Sequence, residues 1–104
     1  MSGEVSIEEL RTAVERMHEC SATWLEAVPV REKFQGKTVW NGMVHVFAIT
    51  GHSDASKCYA WSSPMEDSQN RQFFAVLEIP PVKSAADAVR AAIVRMQRFA
   101  SRLN

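Results

Sequence analysis

Residues 38–50 read Thr38-Val39-Trp40-Asn41-Gly42-Met43-Val44-His45-Val46-Phe47-Ala48-Ile49-Thr50 and are closed by Gly51. β-Branched and aromatic side chains fit the pleated surface of a strand, so this run predicts one. Alternation sends Val44, Val46 and Ala48 to one side and Met43, Phe47 and Ile49 to the other, with only His45 breaking the apolar character. A strand that is apolar on both sides needs cover on both. Gly42 inside the run is either a β-bulge or, with Asn41, a tight hairpin turn.

Downstream, Gly51-His52-Ser53-Asp54-Ala55-Ser56 reads as a loop, and Lys57-Cys58-Tyr59-Ala60-Trp61-Ser62 as a second strand. Pro64 to Asn70, including Glu66 and Asp67, is polar and acidic, a loop whose charges are solvated. Arg71 to Ile79 supplies a third strand, with Phe73, Ala75, Leu77 and Ile79 on one face and Gln72, Phe74, Val76 and Glu78 on the other. Pro80-Pro81 cannot continue a ladder, and Ser84-Ala85-Ala86-Asp87 then has the form of a helix cap. Ala86, Val89, Ile93, Met96, Ala100 and Leu103 follow at helical spacing. Upstream, Ser6-Ile7-Glu8-Glu9 matches a capping box, and Ile7, Leu10, Val14, Met17, Trp24 and Val28 continue one apolar stripe, interrupted by Ser21, up to Pro29.

These segments predict a single α+β domain over residues 1–104, ordered helix, three-stranded antiparallel sheet, helix (αβββα). Short connections make the sheet a meander and lay both helices side by side on one face. Charge agrees with that pairing: residues 4–28 hold six acids and two arginines, whereas residues 83–104 hold five bases and one aspartate. The face away from the helices is then too apolar for water, and the simplest cover is a second copy of the chain, a homodimer in which Phe47 or Trp61 lies at the contact.

Composition bounds the function. Hydrophobic residues at 46% and charged residues at 23% describe a globular chain, and twelve bases against twelve acids leave no net field to draw it to nucleic acid or an anionic membrane. The start, Met1-Ser2-Gly3-Glu4, has no positive region followed by an apolar one, and no apolar run approaches the roughly 18 residues of a membrane span. A cytoplasmic protein is expected. Cys20 and Cys58 lack CxxC spacing and read as reduced, buried thiols. Histidine and carboxylate spacing fits no recognised metal site, so neither metal nor cofactor is expected.

Trp40, His45, His52, Tyr59 and Trp61 are the candidate ligand-binding residues. The aromatic rings offer apolar walls with a donor at one end, although core or interface packing is the plainer account of them. His45 sits mid-strand, where a structural hydrogen bond is the plain alternative. His52-Ser53-Asp54 contains the minimum of a general base, a histidine with a carboxylate near it. A non-catalytic homodimeric module binding a small ligand or partner is the first reading. A small enzyme using His45 or His52 as acid or base, with Tyr59 as donor, is the alternative. Arg90, Arg95, Arg98 and Arg102 form a basic stripe on the second helix, and the element order is similar to that of double-stranded RNA-binding domains. The lysine cluster that opens their second helix is replaced here by Lys83-Ser84-Ala85-Ala86-Asp87. RNA binding is therefore the third reading only.

Trp40-Asn41-Gly42-Met43-Val44-His45-Val46-Phe47, Gly51-His52 with Ala55, Tyr59-Ala60-Trp61-Ser62 and Ala88-Val89-Arg90-Ala91-Ala92-Ile93 resemble small uncharacterised bacterial proteins, among them ones carried on integron gene cassettes. The resemblance spans roughly residues 38 to 95. It implies a stand-alone cytoplasmic bacterial domain and transfers no catalytic residue.

Overall fold

The computed structural model describes residues 6–64 and 71–103. The first helix, α1 (Ile7–His18), starts at the expected capping box: Ser6 Oγ accepts from Glu9 N at 3.1 Å, and the Glu9 carboxylate accepts from Ser6 N at 3.3 Å. It stops well before Pro29. Glu19 takes the left-handed conformation at φ 50, and the Glu15 carboxylate then receives the Ala22 N–H at 2.9 Å, which turns the chain into a strand.

That strand, β1 (Ser21–Phe34), corrects the expectation of a helix running to Val28 and of a three-stranded sheet. β1 pairs along its length with β2 (Lys37–Thr50) through a two-residue turn, Gln35-Gly36, with φ of 53 and 80. Positive φ at both central residues is the hairpin turn whose twist matches that of paired strands. The helical spacing of Met17, Trp24 and Val28 is thus outweighed by long-range pairing with β2. Pro29 fits because β1 is an edge strand, where a missing N–H costs no ladder bond. With β3 (Lys57–Pro64) and β4 (Arg71–Leu77) the sheet has four antiparallel strands in the order β1-β2-β3-β4. Of the expected loop Pro64 to Asn70, Pro64 ends β3, and residues 65–70 with Glu66 and Asp67 lie outside the described residues, as do the side chains of Arg98 and Arg102.

Gly42 is neither a bulge nor a turn. It faces Val30 in regular register, with the Trp40 ring folded across it. Irregularity falls elsewhere: Trp24 faces Phe47 and Glu26 faces Val46, which leaves Leu25 as the extra residue of a bulge in β1.

The second helix, α2 (Ala85–Leu103), begins at the predicted cap, where Ser84 Oγ accepts from Asp87 N at 3.2 Å. It does not lie beside α1. Leu10 and Val14 of α1 pack with Ala22, Phe47, Ile49, Cys58 and Ala60, whereas Ala85, Ala88 and Val89 of α2 pack with Val30, Val44, Val46, Tyr59 and Trp61. In β2 and β3 these two sets alternate along the strand, so they occupy opposite faces. The helices therefore sandwich the sheet, which corrects the expectation of both on one face. The physical reason is already in β2: its two apolar sides each receive one helix. Phe47 at 0% and Trp61 at 3% exposure are buried beneath the chain's own helices and so are not the contact at which a homodimer was expected, while Met43 and Trp24, on the side of the sheet that α1 covers, stay exposed. No ion pair joins the two helices among the described residues; Arg90 of α2 instead meets the buried Glu32 of β1 at 2.6 Å.

Candidate functional site

The two edges of the sheet differ. On β1, a bulge at Leu25, Pro29 and the charged residues Glu26, Arg31 and Lys33 interrupt any flat run of free backbone. Such features discourage another strand from pairing there. On β4, Gln72-Phe73-Phe74-Ala75-Val76-Leu77 carries no proline, no bulge and no charge.

Register fixes which β4 groups face outward. Glu78 N donates to Lys57 O at 2.9 Å, so Lys57 and Glu78 form a hydrogen-bonded pair, and by alternation so do Tyr59 with Val76 and Trp61 with Phe74. Phe73, Ala75 and Leu77 therefore point their N–H and C=O away from β3. Leu77 O accepts from Ile79 N at 2.9 Å, and Ala75 O accepts from His18 Nε2 of α1 at 2.8 Å. The N–H and C=O of Phe73 and the N–H groups of Ala75 and Leu77 have no partner among the described residues.

A groove of about 660 Å³ runs along this edge. Met17 and His18 of α1 line it from one face of the sheet, Ala91, Ala92 and Arg95 of α2 from the other, and consecutive residues of β4 form its floor. Because the helices lie on opposite faces, a single cavity can touch both only by passing round the sheet edge. Ile79, Pro80 and Pro81 also line it, beyond the last residue of β4. Its surface is mainly apolar.

None of the five residues singled out from sequence lines this groove; Trp40, Tyr59 and Trp61 gather in the core beneath α2, and His45 and His52 stand apart from them. Tyr59 and Trp61 are core residues beneath α2; Trp61 stacks on Phe74 at 5.2 Å between ring centroids, and Trp40 meets Trp61 edge-on at 5.9 Å while donating from Nε1 to Ser63 Oγ at 3.3 Å. The Tyr59 hydroxyl donates to the Glu78 carboxylate. Burial first, and then that carboxylate, push the phenol well above its ordinary range. His45 lies on the other face, where its Nδ1 accepts from Trp24 Nε1 at 3.1 Å and burial lowers its pKa. His45 and Tyr59 thus stand on opposite sides of the sheet. His52 Nδ1 accepts from the backbone N–H of Asp54 at 3.0 Å, and its ring meets His18 edge-on at 6.3 Å. It is the amide of Asp54 that holds this ring. No cluster of three or more metal-ligating side chains occurs among the described residues.

Sequence reasoning missed the groove because its floor was read as an ordinary strand and its walls as helices on one face. The available signal was the uncharged run Gln72 to Leu77 in the last strand; its contrast with the charges and proline of β1 appears only once β1 is known to be a strand.

No family model matches the chain, and no match is found among curated proteins or solved structures. No helix among the described residues is long and apolar enough to cross a membrane.

Proposed function

We propose that the protein is a non-catalytic binding module that receives an extended polypeptide segment as an added strand on β4. The observation that carries this reading is one groove touching helices on both faces of the sheet, with unpaired backbone groups of Phe73, Ala75 and Leu77 along its floor. Strand addition draws affinity from main-chain hydrogen bonds and selectivity from alternate side chains on either face. Here the alternate side chains of the guest meet Met17 and Phe73 on one face and Ala91, Ala92 and Phe74 on the other. A small ligand has less claim on the site, since an open channel round a strand encloses it poorly. A second copy pairing β4 with β4 is disfavoured because α1 and α2 flank the edge where the second pair of helices must pass. The RNA-binding reading loses its footing with the helices on opposite faces.

His18 belongs to this function. It occupies Ala75 O, so an incoming strand must displace the imidazole to complete its ladder. This is edge protection of the kind that keeps a free strand from pairing indiscriminately.

Ala75→Pro tests the reading, because it deletes an N–H that points outward while leaving the bonds to β3. Loss of one main-chain hydrogen bond is worth about 0.5–1.5 kcal/mol, or about 2- to 12-fold in Kd, with the ring adding to the loss by obstructing the guest backbone. The measurement is affinity for a selected peptide by calorimetry, with circular dichroism confirming the fold. Unchanged binding by a folded Ala75→Pro protein refutes strand addition, and a dimer by sedimentation that dissociates with this change identifies a second copy as the guest.

A further inference from the structure

Resting on strand addition at β4, we propose that the received segment carries a carboxylate that pairs with Arg95. Among the described residues lining the groove, Arg95 is the only charged side chain; every other lining group is apolar, an amide or the hydrogen-bonded His18. Arg95 is exposed and makes no ion pair with any described residue, unlike Arg11, which meets Glu8 and Glu15, and Arg90, which meets Glu32 and Asp87; Arg16 and Arg31 are unpaired too, but neither lines the groove. The arginines with described ion pairs serve the fold; Arg95 borders a mainly apolar channel with its fork free.

A guanidinium presents planar paired donors that match a carboxylate, and the match strengthens as the surroundings lose water. A strand laid between α2 and the free edge excludes water from one side of Arg95, so an acidic residue at that position gains and a basic one is repelled. The carboxylate is that of an aspartate or glutamate side chain within the segment; a terminal carboxylate is the alternative that the test separates from it. The selectivity is therefore for an extended segment, apolar at alternate positions, with one negative charge at a fixed place. Salt should weaken this contact more than it weakens the main-chain ladder.

The probe is a random decapeptide library displayed in two forms, one with a free N-terminus and one with a free C-terminus, selected against wild-type protein and against Arg95→Glu. Circular dichroism verifies that both proteins fold. The expected result is enrichment of alternating apolar residues with an acid at one position, and replacement of that acid by lysine or arginine in the peptides chosen by Arg95→Glu. An acid enriched in both libraries identifies a side-chain carboxylate; enrichment without an internal acid, in the free C-terminus library alone, identifies the terminal one. Synthetic versions of the selected peptides should bind wild-type protein at least five-fold more tightly than their uncharged counterparts, and Arg95→Gln should erase the difference. Strand-like peptides enriched with no charge preference, or a preference that survives Arg95→Gln, overturn this proposal and leave strand addition standing. If neither library yields a peptide that shifts the amide resonances of Phe73, Ala75 and Leu77, strand addition falls and takes the carboxylate with it.

Discussion

Placing a methyl group at Gly42 tests the packing of the sheet under α2. Gly42 has no positive φ, so alanine suits its backbone, and the substitution alone should stabilise the chain by about 0.4–1 kcal/mol through the unfolded state. Trp40 reverses that sign. An added Cβ would stand 2.9 Å from Trp40 Cη2 and 3.0 Å from Cζ2, while carbon atoms in good contact keep about 3.5–4.0 Å. The ring must therefore retreat by about 0.5–1 Å. It is not free to do so: Nε1 is bonded to Ser63 and the ring edge meets Trp61. Overpacking of this kind costs about 1–3 kcal/mol. The net expectation for Gly42→Ala is a loss of about 1–2 kcal/mol, or a fall of roughly 5–10 °C in Tm. Urea unfolding followed by far-UV circular dichroism measures it. In a Trp40→Ala background the clash is gone, and the same change should stabilise by about 0.4–1 kcal/mol. A Gly42→Ala protein no less stable than wild type, or an equal cost with and without Trp40, would refute the reasoning.

Ser84→Ala removes the acceptor of the Asp87 N–H and should cost about 0.5–2 kcal/mol in urea unfolding, while an unchanged midpoint would show that Ser84 does not cap α2. Burial lowers the pKa of His45 from its ordinary 6.5, so the folded state binds fewer protons there than the unfolded one. Its contribution is present above about pH 6.5 and is lost as pH falls through the lower folded value; His45→Gln should flatten the part of the stability profile that lies below about pH 6.5, and parallel profiles would contradict it. Burial pushes the Cys58 thiol up to about 12, so iodoacetamide at neutral pH should label Cys58 only after urea unfolds the chain, as read by mass spectrometry. Rapid labelling of the native protein would place Cys58 nearer the surface than the core.

Both helix starts were legible because a cap is a local device: Ser6 with Glu9, and Ser84 with Asp87, bond within four consecutive residues. The strands at residues 43–50, 57–62 and 71–77 were legible from alternation. β1 was not, because Trp24 and Val28 extend the spacing of α1 and Pro29 looks like a helix stop until an edge strand is known to hold it. The evidence for β1 is its partner, which lies across a turn and cannot be read locally. The placement of the helices followed the same loss, since an unseen strand between α1 and β2 leaves no route for α1 to the opposite face. Apolar character on both sides of β2 was legible; what the sequence did not reveal is that the chain's own α1 lies over Phe47 and Ile49. As for function, Trp40, Tyr59 and Trp61 drew notice as aromatic residues, but aromatic residues serve cores as readily as pockets. The groove depends on backbone groups, which have the same chemistry in every residue but proline and so leave little trace in a sequence.

The unequal edges also set a stoichiometry. A sheet open on both sides can pass its pairing from copy to copy without end, the geometry of a filament. Here the bulge at Leu25, Pro29 and the neighbouring charges close the β1 side, so whatever pairs with β4 finds no second vacancy at the far edge. Growth by strand pairing stops after one guest, and a concentrated solution of the protein with its guest should hold closed one-to-one complexes whose scattering does not rise with time.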